Sequence, residues 1–222
     1  MHELELVTFD LAGTTVADHG QVPSAFAAAL ADHGLGAAPE QIEAVRGSSK
    51  REAVLHFVPA GPDRGRRAEE VYASFRERLA ERYASEGVEA IPGAAASFRA
   101  LRENGVRVAL NTGFDRATAR LLLDALSWTD ALVDAVVCGD EVTLGRPAPF
   151  MIFRAMEATG ATSVHKVANV GDTKLDLQAG HNAGVGWNIG VLTGAHDRRS
   201  LEAAPHTHLL PSVAELTGLW TA

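Results

Sequence analysis

The sequence predicts an α/β protein with a Rossmann-like parallel-sheet core and a helical cap domain inserted after the first strand. Apolar, β-branched runs alternate with helical segments, which is typical of a parallel sheet covered by helices on both faces. Residues 22–86 interrupt this alternation, because they contain helical patterns and no convincing strand. A length of 222 residues fits one α/β domain with an insertion. Residues 1–16 and 92–222 are therefore assigned to the core, and residues 17–91 to the cap.

The first strand is the apolar run "LELVTFD", and four helical segments of the cap follow it. The first two, "VPSAFAAALADHG" and "APEQIEAVRG", each have a proline near the start and a glycine at the end. The third, "SKREAVLHFV", is ended by the Gly/Pro-rich "PAGPDRG". The fourth, "RRAEEVYASFRERLAERYASEG", is a long amphipathic helix with Val71, Phe75, Leu79 and Tyr83 on one stripe.

The strand–helix alternation resumes after "VEAIPG". The predicted strands are "VRVALNTG", "DAVVCGD", "KVANVGD" and "VGWNIGVLTG". The predicted helices are "AAASFRALRENG", "DRATARLLLDALSW", "PAPFMIFRAMEATG" and "TKLDLQAGHNAG", and "THLLPSVAELTGLW" closes the chain with a short strand and helix. Such a sheet places its ligand at the carboxyl ends of the strands.

Composition excludes several classes of protein. The formal net charge is -8 with no basic run, which argues against a nucleic-acid partner. A single cysteine, Cys138, excludes a disulfide framework and a cysteine-based zinc site. No apolar run approaches the roughly 20 residues that span a bilayer, and the first ten residues lack a signal-peptide pattern, so no membrane partner and a cytoplasmic location are expected. Only three of the 20 basic residues are lysines, namely Lys50, Lys166 and Lys174.

Polar side chains stand at or just after the ends of four predicted strands. Asp10 ends the first, Thr112 ends "VRVALNTG", Arg146 follows "DAVVCGD", and Asp172 and Asp176 follow "KVANV". Each has an ordinary structural explanation when taken alone, such as a helix cap, a turn hydroxyl or a surface charge. Their occurrence at successive strand ends favours one shared site.

These residue types suit phosphoryl transfer. Asp10 is a candidate nucleophile, and Asp10 and Asp172 are hard oxygen ligands suited to Mg²⁺. Phosphoryl oxygens could be cradled by Thr112 and by the backbone N–H groups of Ala12, Gly13, Thr14 and Gly113. Arg146 offers charge-assisted hydrogen bonds to the same group.

The motifs "DLAGTT", "LNTG", "GRPAP" and "GDTKLD" resemble, in order, the four motifs of the haloacid dehalogenase superfamily. The resemblance covers nearly the whole chain. It implies that Asp10 is the nucleophile and that Mg²⁺ is held by Asp10, the carbonyl of Ala12 and Asp172, with Asp176 nearby. It also implies a small phosphorylated or phosphonate substrate and a homodimer formed through the cap.

Most phosphatases of this superfamily carry a second aspartate two residues after the nucleophile, where this chain has Ala12. Alanine there, with arginine in "GRPAP", resembles the phosphonoacetaldehyde hydrolase (phosphonatase) branch. The resemblance implies that Lys50 in "RGSSKRE" forms a Schiff base with the substrate aldehyde, so that no acid at position 12 is needed. Lys50 must be neutral to attack, and we expect burial or the neighbouring Arg46 and Arg51 to lower its pKa.

The cap, and the position after the second motif's Thr-Gly, depart from that branch. Ala53 stands where a histidine is expected, Arg46 where a methionine is expected, and Phe114 where a tyrosine is expected. Ser48 and Ser49 replace apolar residues. The sequence therefore predicts a relative of phosphonoacetaldehyde with an extra polar or anionic substituent, met by Arg46, Ser48 or Ser49.

Two alternatives stay open from the sequence. One is a phosphoester or acyl-phosphate hydrolase whose good leaving group makes the acid unnecessary. The other is a non-catalytic module that binds a phosphate ligand on the same scaffold.

Overall fold

The computed structural model describes residues 4–220, so the first three and last two residues of the predicted core lie outside the described part. Six parallel strands form one sheet in the order β3-β2-β1-β4-β5-β6. The strands are β1 (Leu6–Phe9), β2 (Arg107–Thr112), β3 (Ala135–Cys138), β4 (Val167–Gly171), β5 (Trp187–Val191) and β6 (His208–Leu210). β1 lies between β2 and β4, so its carboxyl end is at the centre of the sheet.

The residues between β1 and β2 include the four helices of the cap, as the sequence predicts. They are α1 (Gln21–Asp32), α2 (Pro39–Ala44), α3 (Lys50–Phe57) and α4 (Arg64–Glu86). Pro39 begins α2, where its missing N–H costs no hydrogen bond. The stripe on α4 is buried, and the Phe75 ring meets the Phe26 ring of α1 edge-on at 5.7 Å. The cap therefore has an apolar interior.

Helices cover both faces of the sheet, which confirms the predicted fold class. The core helices are α5 (Ala94–Glu103), α6 (Arg116–Ala125), α7 (Phe150–Thr159), α8 (Lys174–Ala183) and α9 (Arg198–Glu202), with a 3₁₀ helix at Val213–Trp220. Side chains alternate along β1 because strand residues point to opposite faces. Leu6 packs with Met151 of α7, whereas Val7 and Phe9 pack in the other cluster, with Phe98 of α5.

Two antiparallel linkers join the cap to the core. Ala17 N–H donates to the Glu89 carbonyl at 2.9 Å, and Ile91 N–H donates to the Thr15 carbonyl at 2.9 Å. The predicted domain boundaries, at residues 16/17 and 91/92, fall in this paired segment. Among residues 4–220, no helix combines the length and apolar character needed to cross a membrane.

Candidate active site

The parallel sheet brings the polar residues of four strand ends to one cavity. Asp10, Thr112, Arg146 and Asp172 all line it, and each of their side chains is buried. One guanidinium nitrogen of Arg146, Nη1, lies 2.9 Å from Oδ1 of Asp10. The nucleophile candidate and the fixed cation are therefore in direct contact. The cap residues Arg46, Gly47 and Lys50 line the same cavity, so the cap forms its other wall.

Buried hydrogen bonds fix the orientation of Arg146. Its Nη2 donates to the backbone carbonyl of Asn111 at 2.7 Å and also to the Asn111 side-chain oxygen. Sequence reasoning missed Asn111. The signal that could have found it is a buried amide in an apolar strand, because asparagine is depleted from strands.

Asp176 does not line the cavity, whereas Asp10 and Asp172 do. Its Oδ1 pairs with Arg146 at 2.8 Å, and its Oδ2 accepts from Thr173 N–H at 3.0 Å. Thr173 in turn caps α8 by accepting from the Asp176 N–H. Both carboxylate oxygens are thus committed to neighbours, and Asp176 holds Arg146 and the start of α8 instead of facing the cavity.

Asp10 and Asp172 carry negative charge in a buried place. Burial raises the pKa of Asp10 to about 6, with Arg146 opposing the shift. Burial also raises the pKa of Asp172 to about 7, and the neighbouring charges of Asp10 and Asp176 add to that shift. Asp172 is oriented by Thr14 Oγ1, which donates at 2.9 Å, and by Ala195 N–H, which donates at 2.7 Å. These carboxylates therefore favour an additional cation.

The donor set fits Mg²⁺. Asp10, Ala12 and Asp172 line one cavity, which offers two carboxylates beside a backbone carbonyl. Among the described residues, no group of three or more His, Cys, Asp or Glu side chains could hold a metal ion. A Mg²⁺ ion here would therefore be held by two carboxylates, a carbonyl and water, a composition that this ion accepts.

The loop after β1 corrects one expectation about the phosphate cradle. Gly13 N–H donates to the Val16 carbonyl at 2.7 Å, and Thr14 N–H donates to the Leu11 carbonyl at 3.2 Å. These two N–H groups are used to shape the loop, so they are not available to a phosphoryl oxygen. Gly13 is required for another reason: its φ is +94°, and a Cβ there would lie 2.4 Å from Oδ2 of Asp172.

The cap contributes Lys50 to the same cavity. Lys50 is the first residue of α3, and its Nζ lies 5.5 Å from the centre of the Phe114 ring. Burial lowers the pKa of Lys50 to about 8; Asp10 opposes this shift, and Arg46 and Arg146 add to it. At pH 7 about a tenth of Lys50 is therefore neutral, far more than for an ordinary lysine.

Of the two arginines expected to act on Lys50, only Arg46 faces the cavity. Arg51 points away from it, pairs with Glu69 at 3.0 Å and lies over the Tyr72 ring. The structure therefore corrects the expectation for Arg51.

Arg46 is held by a carboxylate that sequence reasoning missed. Its Nη2 lies 2.6 Å from Oδ2 of Asp18, whose side chain is only 2% exposed and also lines the cavity. Asp18 lies in the linker that leaves the core, and nothing in the local sequence marks it. A second carboxylate, Glu43, lies 3.7 Å from Nη1 of Arg46.

The remaining cap positions contribute less to the cavity. Ser48 Oγ donates to the Val45 carbonyl at 2.6 Å. Ala53 is buried. His56 is exposed and its ring meets that of Phe57, so it does not replace the expected histidine.

A family model described as haloacid dehalogenase-like hydrolase matches residues 4–184, a range that includes all four strand-end motifs. The chain belongs to this superfamily of hydrolases. The resemblance found in its motifs is confirmed.

Curated relatives of the chain include several phosphonoacetaldehyde hydrolases. The one from Bacteroides fragilis is 31% identical over 230 aligned positions, which cover 97% of this chain and 85% of that protein. The one from Bacillus thuringiensis is 29% identical and covers 88% and 78%. The match to the Parabacteroides distasonis protein is 34% identical but spans 60% of this chain and 49% of that protein, about half its length.

Solved structures share the fold across nearly the whole chain. A phosphonoacetaldehyde hydrolase-like protein from Oleispira antarctica matches with a TM-score of 0.85 at 21% identity, covering 98% of this chain and 91% of the other. CbbY from Rhodobacter sphaeroides, solved with phosphate, matches with a TM-score of 0.79 at 20% identity, covering 96% of each chain. At these identities the likeness concerns the fold alone.

Proposed function

We propose that this protein is a Mg²⁺-dependent hydrolase that cleaves the C–P bond of phosphonoacetaldehyde or a related 2-oxoalkylphosphonate. The observation that carries the proposal is that Lys50 and Asp10 line one cavity, with Ala12 where a phosphatase would carry its acid. The curated relatives named phosphonoacetaldehyde hydrolase give independent support.

The reaction begins on the carbonyl side. Neutral Lys50 Nζ attacks the carbonyl carbon, and uptake of one proton with loss of one water gives a protonated imine. The lowered pKa of Lys50, about 8, favours the neutral amine that this attack needs. The positive imine then draws electrons from the neighbouring C–P bond.

Cleavage takes place on the phosphoryl side. A carboxylate oxygen of Asp10 attacks phosphorus, the C–P electron pair moves to carbon to form an enamine, and the phosphoryl group becomes an aspartyl phosphate. Protonation of the enamine carbon and addition of water release the carbonyl product and free Lys50. A second water hydrolyses the aspartyl phosphate to phosphate. No proton has to reach a leaving oxygen, so an acid at position 12 is unnecessary.

Arg146 and Thr112 are placed to hold the phosphoryl oxygens through these steps. Arg146 is kept in one orientation by Asn111 and Asp176, so little reorganisation is needed as charge develops. Asp10, Asp172 and the Ala12 carbonyl would hold Mg²⁺, which when bound neutralises phosphoryl charge and orients the group for attack. The cap limits the access of bulk water while the C–P bond is cleaved.

The substrate is proposed to carry a further polar or anionic substituent, because Arg46 lines the cavity together with Lys50. Arg46 is already paired with Asp18. The pair offers both a donor and an acceptor to such a substituent.

Borohydride trapping tests the imine directly. With substrate and borohydride, the wild-type chain should form a covalent adduct at Lys50, and Lys50→Arg should form none. Phosphate release is measured in parallel from a panel of 2-oxoalkylphosphonates and phosphate esters. Lys50→Arg should lower phosphonate turnover by about 10³-fold or more and change ester turnover less than about threefold.

Three results are informative. Turnover of esters alone, without an adduct, would replace the proposal with a phosphoester or acyl-phosphate hydrolase. No turnover of any compound, with phosphate still binding, would favour the non-catalytic module. An adduct that forms equally in Lys50→Arg would place the imine on another lysine.

A further inference from the structure

A cap segment, residues 47–52, meets the core at the edge of the cavity; we call it the docking segment. The backbone N–H of Lys50 donates to the core carbonyl of Gly113 at 3.0 Å. In the opposite direction, the core N–H of Gly145 donates to Oε1 of Glu52 at 3.0 Å. The cap and the core thus each donate one backbone N–H to an acceptor on the other.

This exchange replaces an ordinary helix cap. The first N–H groups of a helix have no partner within the helix, and a preceding serine often provides one. Ser49 stands in that position before α3 but makes no side-chain cap. The carbonyl of Gly113 accepts instead from the first helical N–H, that of Lys50, so this hydrogen bond at the start of the helix exists only while the cap is docked.

Two core glycines are shaped to receive the docking segment. A Cβ on Gly113 would lie 2.4 Å from the Ser48 carbonyl oxygen. A Cβ on Gly145 would lie 2.9 Å from Oε2 of Glu52 and 3.0 Å from Cβ of Ser49. The nearest atoms to both positions belong to the cap and not to the core. A side chain at either position would therefore meet the docking segment first and hinder docking.

We propose that Glu52 is a positioning residue that sets Lys50 in register with Arg146 when the cap closes. Glu52 follows Lys50 by two residues in the first turn of α3, and Gly145 directly precedes Arg146. The Glu52–Gly145 hydrogen bond therefore ties the element that carries the imine lysine to the element that carries the phosphoryl-binding arginine. A hydrogen bond to a carboxylate is stronger than one between neutral groups.

The consequence for catalysis follows from geometry. The two ends of the substrate must be held at once, and misplacement by about 1 Å can cost about 10²-fold in rate. Glu52 touches neither end, so its effect reaches the substrate through Lys50. This role rests on the proposed function, because it assumes that Lys50 reacts.

The test compares Glu52→Ala and Glu52→Gln with a matched control, Glu69→Ala, which removes an exposed cap carboxylate paired with Arg51. Two quantities are measured for each variant. One is amide hydrogen exchange at Lys50, and the other is the pair kcat and KM for phosphonoacetaldehyde. Circular dichroism and Tm confirm that each variant folds.

Glu52→Ala should speed exchange at Lys50 by about tenfold or more, and should lower kcat by about 10- to 100-fold with little change in KM. Glu52→Gln should stay within about threefold of wild type, because its amide oxygen still accepts from Gly145. Glu69→Ala should change neither quantity. Gly145→Ala should reproduce the Glu52→Ala result from the core side, and the double variant should be no worse than the worse single variant.

Wild-type exchange and kcat in Glu52→Ala would overturn the proposal. So would an equal loss in Glu52→Gln, which would mean that Glu52 acts by its charge on the helix dipole. The exchange measurement needs no substrate. If the wild type forms no borohydride adduct, the proposed function fails while the exchange data still decide whether Glu52 positions α3.

Discussion

The two walls of the active-site cavity are built in different ways. The core wall holds Asp10 and Asp172 at strand ends and Arg146 in the loop after β3, and these residues are 6%, 0% and 4% exposed, respectively. In the cap wall Arg46 lies in a loop and Lys50 at the start of α3, and both residues are only half-buried. The core wall is part of a continuous sheet, whereas the cap wall is placed by a few contacts made across the cavity.

This difference separates the two ends of the proposed reaction. The phosphoryl end is handled by residues that the sheet fixes, and these match the superfamily motifs. The carbonyl end is assigned to residues of the cap, where Arg46 and Ala53 depart from the phosphonatase pattern, and the core residue Phe114 beside Lys50 departs from it too. Substrate specificity can therefore change on the cap while the phosphoryl chemistry of the core stays the same.

The largest expected effect comes from breaking the core wall. Asp10→Asn removes the nucleophile from both proposed reaction types, so phosphate release from phosphonates and from esters should fall by about 10³-fold or more. The loss across both classes contrasts with Lys50→Arg, which should affect phosphonates alone. The activity of each variant is measured as phosphate release at saturating Mg²⁺. Asp124→Asn, an exposed aspartate of α6, serves as the control. Retention of more than a tenth of the activity by Asp10→Asn would show that another group attacks phosphorus.

An intermediate effect is expected when the core wall is given the acid that it lacks. Ala12→Asp places a carboxyl group in the cavity, where it can protonate a leaving oxygen. General acid catalysis contributes typically about 10²- to 10⁴-fold, so ester turnover should rise by about tenfold or more. Phosphonate turnover should fall, because the added carboxylate is near Lys50 and raises its pKa.

Ala12→Ser is the matched control for Ala12→Asp, since it adds a polar group that cannot act as the acid. The comparison is made by kcat/KM for one ester and one phosphonate. Equal ester turnover in all three proteins would mean that the missing acid is not what separates this site from a phosphatase site.

The smallest expected effect concerns the pKa of Lys50 in the cap wall. The pKa of Lys50 is lowered to about 8 chiefly by burial, and Arg46 contributes to the shift. The rate of imine trapping should therefore rise with pH through about 8 and level off above it, where Lys50 is neutral. Arg46→Ala removes a nearby cation and leaves Asp18 without its partner, and both changes raise the pKa of Lys50.

In Arg46→Ala the midpoint of the trapping profile should accordingly move to higher pH, with a several-fold slower rate at pH 7. Arg51→Ala is the matched control and should leave the midpoint in place, because Arg51 points away from the cavity. The Arg46→Ala variant also tests whether Arg46 recognises the proposed polar substituent of the substrate. Above the midpoint of both proteins, equal preference of wild type and Arg46→Ala for phosphonoacetaldehyde over a polar-substituted analogue would count against Arg46 as the specificity residue.

Much of the core could be predicted because its signals are local. Each strand was marked by its own apolar run, and the strand ends of a parallel sheet meet at one edge whatever the sequence between them. Asp10, Thr112, Arg146 and Asp172 could therefore be grouped although they are spread over more than 160 positions of the chain. The cap helices could be predicted equally well, because Pro39 and the buried stripe of α4 are signals contained within their own segments.

The sequence by itself determined the α/β class, the inserted cap and the residues at the carboxyl edge of the sheet, because periodicity and the succession of strands and helices along the chain can be read from short segments. The tertiary structure alone decided which groups have partners. It paired Arg46 with Asp18, gave Arg146 the support of Asn111, turned Asp176 towards Arg146, and joined Glu52 to Gly145. These contacts link positions 28 to 93 residues apart, and whether a polar group is free or already bound depends on such neighbours.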